Sequence, residues 1–185
     1  MVSNFDFLKK DFPVLSNFGE MAEKYCYSDS NSCLMKLGMI GETIVNLMFT
    51  YDRIAFPQDN TAVARIDTLS REGLLTSDLV AILHGLRKVR NKAVHENYAS
   101  VADDKTFLPM AHSLCEWFMQ TYGGWNYSHK DFVMPEENTV SVTVDKEAEE
   151  KKESELTKLA EQTAAAAPIV EQAERKKQAY KAANQ

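Results

Sequence analysis

Between Leu34 and Met48 the apolar residues Leu34, Leu37, Ile40, Ile44, Val45, Leu47 and Met48 recur every three or four positions. That spacing places them on one broad face of an α-helix. A stripe so wide needs cover on more than one side, so the segment predicts the central helix of a helical bundle. The neighbouring stretches carry the same period. Leu15, Phe18, Met21 and Ala22 follow a restart at Pro13, which cannot continue a backbone ladder begun near Phe5. After a loop holding Pro57, a third helix is expected near Thr61–Glu72, ended by Gly73. Thr76 or Ser77 caps a fourth, with Leu79, Val80, Ile82, Leu83, Leu86 and Val89 as its stripe. A fifth is expected after Asp103-Asp104, where acidic residues suit a helix N-terminus, and it carries Leu108, Ala111, Leu114, Cys115, Phe118 and Met119 up to Gly123-Gly124.

Only seven Gly and five Pro in 185 residues fit helices on short connections, and the length suits one core. The expected fold class is all-α: a bundle of about five helices over residues 1–125, an extended connector over 126–144, and a charged helix over 145–185. Val140 to Val144 alternates and predicts a short strand or extended arm. Beyond Asp145 the chain turns to Glu, Lys, Ala and Gln, with a break at Pro168, and reads as a solvated linker helix that runs out without a stop signal. A longer parent protein is the expectation.

The formal net charge of -6 argues against phosphate-driven binding over the whole surface. Cys26, Cys33 and Cys115 are odd in number and form no CxxC pair, so free buried thiols are expected rather than a disulfide framework or a zinc site. The N-terminus lacks the basic and apolar regions of a signal peptide, and no membrane span is read from the sequence, so a cytoplasmic location is expected. Phosphate-loop, dinucleotide-binding, zinc-protease and hydrolase-elbow signatures are missing, and His84, His95, His112 and His129 show no ligand-like spacing.

One cluster carries chemistry. Arg87, Lys88, Arg90 and Lys92 crowd six residues at the end of the fourth helix, with Asn91 and His95 beside them. Arginine offers a bidentate fork to phosphate, asparagine an amide, and histidine a proton that moves near neutral pH. Such a set can cleave RNA without metal: one group takes the 2′-hydroxyl proton, an arginine stabilises the developing charge, and an acid protonates the leaving oxygen. Geometry restricts the idea. Arg87, Asn91 and His95 share a helix face, whereas Arg90 and His95 stand about 140° apart on an ideal helix. They converge only if the helix bends or a second subunit contributes. The alternative is structural, because basic residues are favoured in any last helical turn, and Asn91 and His95 then only tie down the following loop. Glu42, mid-way along the second helix, either faces solvent or pairs with Arg87 or Arg90 across a groove.

Arg90-Asn91-x-x-x-His95, at the end of an amphipathic helix in a five-helix bundle, resembles the R-x4–6-H signature of the HEPN superfamily. The opening Ser3-Asn4-Phe5-x-Phe7-Leu8-Lys9-Lys10-Asp11-Phe12-Pro13, then Ala22-Glu23-Lys24-Tyr25, Lys36-Leu37, Glu42 and Arg87-Lys88-x-Arg90-Asn91-x-Ala93-x-His95, extends the resemblance over residues 3 to about 135. These segments look like the HEPN-like domain at the N-terminus of type I restriction R subunits and related DEAD-box helicases. The family often has an arginine after the Lys-Leu pair, where this chain has Gly38. The resemblance implies an accessory domain for binding or assembly, as a homodimer or with other restriction subunits, and contacting nucleic acid or nucleotide through Arg87, Lys88, Asn91 and Lys92. It implies no cofactor in this chain, with ATP and Mg serving the nuclease and helicase domains of the parent. The alternative it implies is a metal-independent RNase with Arg90 and His95 as catalytic groups in a dimer groove.

Overall fold

The computed structural model describes residues 2–124 and 127–137. Among them are five α-helices and no strand. The expected arm at 140–144 and charged helix over 145–185 lie outside the described residues.

A 3-10 turn, Asp6–Leu8, precedes α1, Pro13–Tyr25, and Pro13 stands in the first helical turn, where a missing N–H is no loss. Then follow α2 (Ser30–Tyr51), α3 (Ala62–Arg71), α4 (Ser77–Glu96) and α5 (Val101–Tyr122). Each start is written locally. Side-chain oxygens of Asp29, Thr61, Thr76 and Ser100 accept from backbone N–H groups three residues on, satisfying donors that have no helical partner. The fifth helix therefore begins earlier than the acidic pair alone suggests, because Ser100 is the cap and Asp103 and Asp104 sit inside the first turn.

α2 is the hub and packs against α1, α3, α4 and α5. Leu34, Leu37, Ile40, Ile44 and Met48 are fully buried, as their spacing requires. By length and mean hydropathy, 1.2 over its best window, α2 alone among the described helices is apolar enough to cross a membrane, a property the sequence reading did not register. Its burial inside the bundle accounts for that apolarity. Gly38 and Gly41 lie where α4 crosses α2, and a Cβ at Gly38 would stand 2.2 Å from the Arg90 Cβ. The glycines let the two helices approach closely, with the stem of Arg90 against Gly38 and Leu83 and Leu86 against Gly41.

The segment 127–137 belongs to the same compact unit as the helices. Asn4 donates through Nδ2 to the Val133 carbonyl at 2.8 Å and accepts from the Val133 N–H at 2.9 Å. The Tyr27 hydroxyl donates to the Pro135 carbonyl at 2.9 Å. Phe132 and Met134 pack on the core.

Candidate functional site

The basic end of α4 divides into two sets of side chains. Arg87 and Arg90, three apart and so on neighbouring rows of the helix, face the groove toward α2. Arg90 Nη1 lies 3.0 Å from Glu42 Oε1, so the cross-groove ion pair is the arrangement Glu42 adopts. Arg87 lines the cavity beside it, and its Nε is buried without a hydrogen-bond partner among the described residues. The other set points away. Lys88 and His95 are exposed, and Lys92 is exposed with its Nζ 5.2 Å from the Tyr98 ring centre. Asn91 is half-buried, so the row Arg87–Asn91–His95 runs from the groove out into solvent.

α4 remains α-helical through Glu96. The 140° between Arg90 and His95 therefore stands, and within one chain the two do not converge. The turn after α4 is fixed by a residue that sequence reasoning passed over. Asn31, in the first turn of α2, donates through Nδ2 to the carbonyls of Ala93 at 2.8 Å and Tyr98 at 2.9 Å. Asn97 between them takes the left-handed conformation, φ 48°, typical of a helix C-terminus, and its N–H bonds the Lys92 carbonyl.

Sequence reasoning also missed the far wall of the groove. Arg65 of α3 donates from Nε to Asn60 Oδ1 at 2.7 Å and from Nη1 to Asn46 Oδ1 at 2.8 Å. Asn46 lies four residues after Glu42, on the same face of α2, and that spacing is the signal that could have found it. The α3 arginine had no such cue, because nothing local relates it to a helix twenty residues away.

Two other clusters are defined by burial. Asp104 is fully buried, and neither carboxylate oxygen has a hydrogen-bond partner among the described residues. Burial pushes its carboxyl above the ordinary range, the charges of Asp103 and Asp29 add to this, and Ser30 and Cys33 act in the opposite sense. The second cluster centres on Glu116. Its Oε1 accepts from the Tyr127 hydroxyl and lies 2.7 Å from His129 Nδ1, while Oε2 lies 3.8 Å from His112 Nδ1. Hydrogen bonding to Glu116, reinforced by its charge, raises the His129 pKa, whereas burial lowers that of His112. Cys26, Cys33 and Cys115 are free and buried, as expected. No group of three or more His, Cys, Asp or Glu among the described residues is arranged to hold a metal.

The model of one family, described as domain of unknown function DUF4145, matches residues 20–158, a span that takes in α2 to α5 whole. The chain is also 25% identical over 135 residues to the Type I restriction enzyme EcoKI endonuclease subunit of Escherichia coli (strain K12). That similarity covers 72% of this chain and 11% of the relative, so the chain spans only a small part of that protein's length. No solved structure matches the chain.

Proposed function

The chain belongs to the DUF4145 family, and from that premise we propose that it is an HEPN-like accessory domain of a type I restriction endonuclease subunit, serving binding or assembly and not cleavage. The observation that carries this reading is the Arg90–Glu42 ion pair at 3.0 Å. A guanidinium that must stabilise a developing phosphorane needs its fork aimed at the scissile phosphate. Here it is directed at a carboxylate of α2. The similarity to an endonuclease subunit, aligned over 135 residues, supports the restriction setting. In that setting the rest of the parent chain would supply ATP-dependent DNA translocation and cleavage, with Mg. This domain would contribute contacts, to a second copy, to other cytoplasmic restriction subunits, or to a nucleotide or nucleic acid at the groove-facing side of α4.

The test pairs size-exclusion with light scattering and an RNA cleavage assay in chelator, on the wild type and on Arg90→Ala/His95→Ala. The expected result is no cleavage by either protein at any oligomeric state. Chelator-resistant cleavage by a dimer, lost in the double variant, would replace this reading with a metal-independent RNase in which two copies complete the Arg90–His95 site.

A further inference from the structure

A cavity of about 230 Å³ lies between α2, α3 and α4. Arg65 and Arg87 enter its lining from different helices. The hydrogen-bond partners of Arg65 are the neutral amides of Asn46 and Asn60, and its guanidinium rests 5.1 Å from the Phe56 ring centre. Among the described residues no carboxylate pairs with Arg65 or Arg87. Glu42 also lines the cavity, but its carboxylate pairs with Arg90, so Arg65 and Arg87 are the lining cations left without a carboxylate partner among the described residues. In a chain of net charge -6 this is a local reversal of sign.

Size and dielectric narrow the ligand. Pockets that enclose drug-sized molecules run to roughly 300–1,000 Å³, so this one takes a head group rather than a whole large ligand. Gly41, Val45 and Leu83 give it an apolar side, beside which charges interact more strongly than in bulk water. Two arginine forks from separate helices suit a tetrahedral dianion, and a phosphate monoester is nearly that at neutral pH. An internal phosphodiester carries one charge, and in a duplex it lies on a convex surface that does not enter a concavity of this size.

We propose that this cavity binds the phosphate monoester of a small phosphorylated molecule such as a mononucleotide, with Arg65 and Arg87 as its two forks and with Asn46 and Asn60 positioning Arg65. The proposal rests on the reading of the α4 groove as a binding surface and names its ligand class. Orienting Arg65 by amides keeps its charge available, where a carboxylate would cancel it.

Calorimetric titration of the 185-residue chain with AMP, ribose 5-phosphate and adenosine tests this. Both phosphates are expected to bind and adenosine to give no heat. Arg65→Gln and Arg87→Gln should each weaken binding at least about tenfold, the loss of one charge-assisted fork. Arg65→Lys should recover part of it, and Glu42→Gln should tighten it. Equal affinity for the two phosphates assigns recognition to the phosphate alone, and tighter AMP binding assigns it to a nucleotide. Circular dichroism and thermal melting establish that each variant is folded. Absence of phosphate binding, or binding untouched by Arg65→Gln in a folded protein, overturns the proposal. Phosphate binding that is lost on Lys88→Gln/Lys92→Gln, with both arginine variants unaffected, overturns the cavity while leaving the α4 end as a binding surface. The accessory reading itself fails in a different assay, chelator-resistant RNA cleavage.

Discussion

Gly38 of α2 lies directly against Arg90 of α4: a Cβ built on the glycine would meet the Arg90 Cβ at 2.2 Å and its Cγ and Cδ at 2.7 Å. The Arg90 Cβ is fixed to its helix and cannot swing aside, so any side chain at 38 forces α2 and α4 apart. The space that a side chain at 38 would need is filled by the stem of Arg90 coming from the opposite helix.

Gly38→Ala is therefore expected to destabilise the bundle, although alanine is the better helix former by about 1 kcal/mol. Overpacking a close helix crossing costs about 1–3 kcal/mol, which outweighs that gain. Chemical denaturation should show a lower midpoint. An unchanged or raised midpoint would mean that the two helices separate freely, and with them the Glu42–Arg90 pair.

Asn31→Ala removes two of the hydrogen bonds that hold the turn after α4, leaving the Ala93 and Tyr98 carbonyls without that partner. Two such bonds on a half-buried side chain are worth about 1–3 kcal/mol together. Amide hydrogen exchange should quicken at Asn97 and Tyr98 first, with α1 protected as before. Uniform loss of protection would instead mark Asn31 as essential to the whole fold.

The two histidines around Glu116 are expected to titrate on opposite sides of 6.5, His129 above it and His112 below. The signs have opposite consequences for stability. His129, with its folded pKa raised, contributes stability that is complete below 6.5 and disappears as pH rises through the folded value. His112, with its folded pKa lowered, withdraws stability as pH falls below 6.5, because the unfolded chain then binds the extra proton. Imidazole proton shifts followed by NMR measure both. Glu116→Gln should bring His129 back toward 6.5, and no movement of His129 in that variant would refute the pairing.

Asp104→Asn is expected to stabilise the protein at pH 7. A carboxyl whose folded pKa is raised contributes stability below the unfolded value of about 3.8 and loses it as pH rises through the folded value. At neutral pH the unfolded chain ionises this carboxyl more readily than the bundle does, so its burial costs stability there, and an amide of the same shape removes that cost. Urea titrations at pH 4 and 7 should show the benefit at pH 7 and little at pH 4. Destabilisation at pH 7 would mean that the carboxylate holds a partner the bundle needs.

The five helices were legible because their causes are local. The 3.6-residue stripe of α2, the Thr76 cap and the Pro13 start each lie within a turn or two of what they determine. The basic end of α4 was legible as composition, and Glu42 as a candidate partner. What the chain order left open was which of two arginines Glu42 would take, since α2 and α4 meet at an angle that helical period does not encode. Arg65 and Asn46 were invisible as a pair for the same reason, and so was the inward turn of Asp104, whose acidity at a helix start is ordinary on the surface.

The sequence by itself determined where helices begin, which faces are apolar and where positive charge gathers, because these depend on neighbours three or four residues away. Only the tertiary structure decided which of those charges remain available. Pairing is settled between side chains 48 positions apart, as for Glu42 and Arg90, by the close crossing of two helices over a glycine. That crossing occupies Arg90, leaves Arg87 and Arg65 facing a cavity, and turns His95 out to solvent.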